Sequence, residues 1–346
     1  MIDWDVARRT AATFAGSGPE VEPHEAADVV AGLRSASEVA SAPVSEYTGL
    51  KAVGTPAPVL VVDRRRWTEA NLSSFQDLLE PMVAKLAEQA PNRISRAVGS
   101  RVSGAELGGL LAFMSSKVLG QFDPFWTGPD GEAGRLLLVA PNIVDVERKL
   151  GVDPDDFRLW VCLHEETHRL QFTGVPWMRD HVRGLLDEFT DATELDPQAV
   201  SKFFSEGVGE LARIVRGESD ASIADLFQND RQKAAVDRIT GVMSLLEGHA
   251  DVVMDGVGPD YVPSVQQIRR KFDERRKGAG GIDRIIRRLL GLEGKMRQYR
   301  DGAVFVREVV DTVGHDGFSA VWASPENLPS KAEILEPASW VARVRP

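Results

Sequence analysis

The pattern of apolar and polar positions predicts a chain built mainly from helices, with two short strands. Apolar residues recur at intervals of three and four over most of the sequence, as they do on the buried face of a helix. Two continuous apolar runs instead have the length of buried strands: PAPVLVVD at 56–63 and RLLLVAP at 135–141. The predicted fold class is therefore α+β, mainly α, with a small β-sheet.

Glycine, proline and charged residues bound the helical segments. We predict helices at 4–46 with a break at 16–19, 68–89, 104–120, 154–173, 177–189, 197–216, 231–254, 264–277, 281–290 and 295–313, followed by short helices or turns at 318–346. Since no long polar linker divides the chain, we predict one domain over 1–346. Its parts are a helical N-terminal segment at 1–55, a core with the candidate site at 56–260 and a helical C-terminal part at 261–346.

Composition and charge narrow the class of protein. A chain of 346 residues with 43% hydrophobic content can bury a large core. Because Cys162 is its only cysteine, an intrachain disulfide is excluded. The net charge of −11 disfavours a nucleic-acid partner or an anionic membrane surface. The N-terminus lacks signal-peptide features, and no apolar run approaches the roughly 18 residues of a membrane span. We therefore expect a cytoplasmic protein.

The strongest chemical signal is the string HEETH at 164–168. It lies inside a predicted helix whose start, DPDD at 153–156, combines an N-cap aspartate, a proline and first-turn carboxylates. Residues four apart on a helix project from the same face, so two imidazoles can bind one ion. We predict His164 and His168 as ligands of one zinc ion. Glu165 beside them would be the general base that takes a proton from the attacking water.

A catalytic zinc ion needs a third protein ligand and an open position. Glu247 falls inside an apolar helical stripe, where a carboxylate is costly unless a cation compensates its charge. We predict Glu247 as this ligand, and Asp251 one turn later as the acceptor of an N–H from a ligating histidine. His249 is the alternative third ligand, but it lies about 200° around the helix from Glu247, so both cannot face one ion. It could otherwise contact the substrate.

The motif HExxH with Glu247-x-x-x-Asp251 resembles the gluzincin branch of zinc metallopeptidases. The strings WVCLHE at 160–165 and LEGHA at 246–250, with VAPN at 139–142, resemble a narrower actinobacterial family of zincin-like metallopeptidases over about 56–341. Some of its members are linked by name to deazaflavin coenzyme biosynthesis, whose chemistry nothing in these residues indicates. The resemblance implies a zincin-like fold, one bound Zn2+ and hydrolysis of a peptide or small amide substrate that has not been established.

Two features depart from the usual zincin pattern. Glu166 and Arg169 are charged where uncharged residues are usual, and the 79 positions between His168 and Glu247 are many more than in compact gluzincins.

Two further parts of the site have candidates with structural alternatives. In zincins a sheet-edge strand lies along the substrate, and the run at 136–141 is a candidate for it, with a plain core strand as the alternative. Tyr299 is a candidate oxyanion stabiliser, with a purely structural role as the alternative.

The sequence thus favours a zinc-dependent hydrolase. The alternative is a non-catalytic zincin-fold module with a structural zinc, whose cleft the insertion at about 177–230 would cover. An open fourth coordination position favours the enzyme, whereas a position closed by a side chain such as His249 favours the module. The oligomeric state is left open.

Overall fold

The computed structural model of the protein describes residues 2–89, 93–191, 230–278 and 297–345. Over these ranges helices dominate beside one three-stranded sheet, which confirms the predicted fold class. The helices are α1 Trp4–Phe14, α2 Pro23–Thr48, α3 Arg64–Gln89, α4 Arg93–Ser115, α5 Ala140–Leu150, α6 Pro154–Thr173, α7 Met178–Asp191, α8 Asp230–Tyr261, α9 Val265–Gly278, α10 Arg297–Phe318, α11 Lys331–Leu335 and α12 Pro337–Val344. The helices predicted at 197–216 and 281–290 lie outside the described residues.

The strands are β1 Val59–Val62, β2 Gly120–Thr127 and β3 Ala133–Val139, in the order β1-β3-β2. β3 pairs in parallel with β1 and antiparallel with β2. β1 and β3 match the two apolar runs, but β2 was not predicted. Its sequence carries Pro124, which cannot donate to a neighbouring strand, and the register shifts between Asp123 and Thr127. A broken, mixed-polarity strand of this kind leaves little periodic signal.

The position of β3 corrects the expectation for the substrate strand. β3 is the central strand and ends at Val139, whereas β2 lies at the edge. Pro141 and Asn142 belong to α5. The Asn142 side chain is buried and donates to the carbonyl oxygens of Ser115 and Val118, both at 2.6 Å. The run at 136–141 is therefore a core strand followed by a helix start.

The sheet separates two hydrophobic clusters. Leu138 of β3 faces the larger one, which includes residues of α2, α6, α8 and α10. Its neighbours Leu137 and Val139 face the smaller cluster with α1, α3 and α4. This alternation is the two-residue period of a strand buried on both faces. α6 runs through the larger cluster and has residues buried on most of its faces.

An N-cap fixes the start of α6, and a close backbone contact fixes where α8 crosses α10. The Asp153 carboxylate accepts N–H bonds from Asp155 and Asp156 at 3.0 Å, as the N-cap prediction required. α8 packs against both α6 and α10. At its crossing with α10, a Cβ on Gly248 would lie 2.1 Å from the carbonyl carbon of Gly302, so the two backbones touch. In the described part of the chain, no helix is long and apolar enough to cross a membrane.

Candidate metal centre

α6 and α8 bring three candidate metal ligands together. His164 and His168, one turn apart on α6, place their Nε2 atoms 3.1 Å from each other. The Glu247 carboxylate of α8 lies 3.7 Å from Nε2 of His164 through Oε2 and 3.6 Å from Nε2 of His168 through Oε1. One donor atom from each residue falls within 4.8 Å of the others, and these three residues form the candidate metal cluster of the described ranges.

His249, the alternative third ligand, points elsewhere. Its ring is buried between Phe318, on which it stacks at 5.5 Å, and Trp322 at 5.1 Å. Burial lowers the pKa of His249 to about 3, so the ring is neutral. On the regular helix α8, only one of Glu247 and His249 can face His164, and the structure places Glu247 there.

Glu165 lies beside the ligands and is buried against β2. A Cβ on Gly120 would come within 2.5 Å of the Glu165 carboxyl carbon, so the backbone of β2 covers this side chain. Burial, and then the negative charge of Glu247, raise the pKa of Glu165 well above its usual range. A cation held by the three ligands would oppose both effects. Glu165 thus places a buried carboxylate beside the three ligands, where a general base could reach a water held between them.

Gln171 belongs to the site but was not predicted from the sequence. Its Oε1 lies 2.9 Å from Nδ1 of His168. Its Nε2 donates to the carbonyl oxygen of Leu246 at 2.9 Å and contacts Nδ1 of His249 at 3.0 Å. The only sequence signal was its position three residues after His168, on the same side of α6.

Asp251, predicted to orient a ligating histidine, lies against Arg269 instead. The carboxylate is 3.7 Å from Nη1 of Arg269, whose Nη2 donates to the Asp251 carbonyl at 2.9 Å. Nδ1 of His168 meets Gln171, and Nδ1 of His164 lies 3.2 Å from the sulfur of Met254 on α8. Gln171 and Met254 thus occupy the places in which Asp251 was expected.

Tyr299 falls within α10, but its side chain lies outside the described residues. Its role as an oxyanion stabiliser stays a prediction.

The two charged departures from the usual motif form one ion pair. Arg169 donates from Nε and Nη2 to the two carboxylate oxygens of Glu166, both at 2.7 Å, and Glu166 is fully buried. Arg169 also reaches Ser41 of α2 and the carbonyl oxygen of Ala57. The pair ties α6 to these segments, so its charges have a packing role apart from the ligands.

Comparisons with known proteins place the chain in a family. The family model described as zincin-like metallopeptidase matches residues 2–341. A crystal structure from Chloroflexus aurantiacus, described as that of a candidate hydrolase with a novel fold, is 30% identical with a TM-score of 0.72. The alignment covers 100% of this chain and 99% of that one. A search of curated proteins found no match. Because the family model matches residues 2–341, nearly the full length, and the fold and ligand cluster agree with it, the chain belongs to the zincin-like metallopeptidase family.

Proposed function

We propose that this protein is a zinc-dependent hydrolase that cleaves peptide or amide bonds. The observation that supports this most directly is the close approach of the donor atoms of His164, His168 and Glu247. Bonds of about 2.0–2.1 Å to zinc place the ligand atoms of a tetrahedron about 3.3–3.4 Å apart. The two histidine Nε2 atoms lie 3.1 Å apart, close to that value. The Glu247 carboxylate comes within 3.7 Å of His164 through Oε2 and within 3.6 Å of His168 through Oε1, so its two oxygens face the histidine pair and the three side chains can hold a zinc ion between them.

The surrounding residues supply the rest of the chemistry. Bound zinc would make a water more acidic and polarise the substrate carbonyl. The Glu165 carboxylate takes the proton from the attacking water and returns it to the leaving nitrogen, which needs it to depart as an amine. Burial against β2 keeps bulk water from competing for that proton.

The edge of β2 supports an extended peptide as substrate. The Leu119 carbonyl accepts from Val139 of β3, and Gln121 pairs with Leu137, so these alternate residues direct their backbone groups into the sheet. Gly120 and Phe122 therefore direct theirs to the outer edge, and Gly120 is also the residue whose Cβ position faces the Glu165 side chain. A substrate strand pairing there would lie with a peptide bond beside the ligands.

The alternative, a module with a structural zinc, requires a fourth protein ligand. Among the residues that the structure describes, three donors converge, and His249 bonds to Gln171 instead. This arrangement supports a hydrolase with a position for substrate. Most of the insertion at 177–230 lies outside the described residues, so covering of the cleft stays a prediction.

The first test measures bound zinc by elemental analysis in wild type, His168→Ala and Glu247→Ala. We expect about one zinc per chain in wild type and a loss in both variants. His181→Ala is the matched control, since His181 packs against Trp177 and is not one of the three predicted ligands. This variant should keep its zinc.

The second test is Glu165→Gln with a peptide library. This variant should bind zinc as wild type does but lose turnover, because the amide cannot accept the proton. Wild-type protein that takes up no zinc, or a Glu165→Gln variant as active as wild type, would show the proposal to be wrong.

A further inference from the structure

We infer that Gln171 is a positioning residue that holds His168 in its metal-binding tautomer and fastens it to α8. The inference rests on the proposed zinc site. Gln171 is fully buried on α6, and its side-chain amide contacts His168 of the site and the helix that carries Glu247.

The contacts fix which end of the amide is which. The Leu246 carbonyl oxygen can only accept, so the Gln171 atom 2.9 Å from it must be the nitrogen. The amide oxygen then faces Nδ1 of His168 at 2.9 Å. Because that oxygen has no hydrogen to give, His168 carries its hydrogen on Nδ1. Its Nε2 lone pair is left free and points to His164 and Glu247, as a metal ligand requires.

The second hydrogen of the amide nitrogen extends the chain of contacts to α8. It points to Nδ1 of His249 at 3.0 Å, so His249 accepts there and carries its own hydrogen on Nε2. Phe318 and Trp322 hold the His249 ring in place. Gln171 is thus hydrogen-bonded to α8 at Leu246 and His249, the residues one position before and two positions after Glu247. One amide thus sets the tautomer of one ligand and the distance to another.

The inference is tested with Gln171→Leu and Gln171→Glu, measured by zinc affinity in chelator competition and by NMR of the histidine nitrogens. Leucine provides no acceptor for His168, so zinc affinity should fall about 10- to 100-fold, the usual cost of losing such a partner. Glutamate still accepts from His168 but cannot donate. It therefore keeps the His168 tautomer but loses the contact with the Leu246 carbonyl of α8, so its zinc affinity should fall less than that of Gln171→Leu. The hydrogen of His249 should move from Nε2 to Nδ1, facing the new carboxylate.

Thr173→Val is the matched control. It removes a partly buried side-chain hydrogen bond on the same helix, from Thr173 to the Arg169 carbonyl, and should leave zinc affinity unchanged. Wild-type affinity in Gln171→Leu would overturn the inference, as would an equal loss in both Gln171 variants. If Gln171→Leu does not fold, Gln171→Glu and the His168 tautomer in wild type decide alone. Absence of zinc from wild type would instead refute the proposed function.

Discussion

Gly120 is a residue whose missing side chain shapes the site. A Cβ there would lie 2.5 Å from Cγ and Cδ of Glu165, closer than real Cβ contacts come. Gly120→Ala must therefore displace the Glu165 carboxylate from beside the ligands. We expect zinc content to be unchanged and kcat to fall about 10- to 100-fold, because a shift of about 1 Å in a catalytic group costs that much. Steady-state kinetics with elemental analysis would measure both.

Gly109→Ala provides the control for this change. Gly109 lies in α4 with no atom within 4 Å of its added Cβ, so the variant should keep wild-type kcat. Equal kcat in Gly120→Ala and wild type would show that β2 does not hold the general base in place.

Single residues also show what sequence can and cannot reveal about the site. His164, Glu165 and His168 stand out because their spacing alone places them together on a helix. Glu247 stands out as a carboxylate in an apolar stripe. Gln171 and Gly120 give no comparable signal, because their roles depend on contacts with distant segments. The partners of Gln171 on α8 are 75 and 78 positions away.

At the scale of elements, the crossing of α8 and α10 sets where Glu247 stands. A Cβ on Gly302 would lie 2.0 Å from the carbonyl oxygen of Ser244, one turn before Glu247. Gly302→Ala must push the helices apart, since backbone cannot yield as a flexible side chain can. We expect a loss of about 1–3 kcal/mol in the free energy of unfolding, from urea titration, together with weaker zinc binding.

Gly184→Ala is the corresponding change in α7, where an added Cβ meets nothing within 4 Å. It should leave unfolding and zinc affinity near wild type. A Gly302→Ala protein with wild-type stability would mean that the helix contact is looser than the structure shows. The two helices themselves were predictable from periodicity. The close crossing was not, because it depends on two glycines 54 positions apart meeting in space.

At the scale of the whole molecule, the ligands join helices that are distant in sequence but share one core. α6 and α8 both contribute to the larger hydrophobic cluster, so a zinc ion bound by both would bridge it. A ligand that binds only the folded state stabilises it, by about 2.7 kcal/mol at a free concentration 100 times its Kd. For a chain of this size we expect a rise in Tm of a few degrees on adding zinc to chelator-treated protein.

The variants separate this effect from catalysis. Glu165→Gln keeps all three ligands and should show the same zinc-dependent rise in Tm as wild type. Glu247→Ala leaves two histidines on α6 and no bridge to α8, so the rise should disappear although the apoprotein still folds. Differential scanning calorimetry of each protein, with zinc and with chelator, measures the difference. If Glu247→Ala kept the full rise, the stabilising zinc would lie elsewhere, and the bridge between the two helices would have to be abandoned.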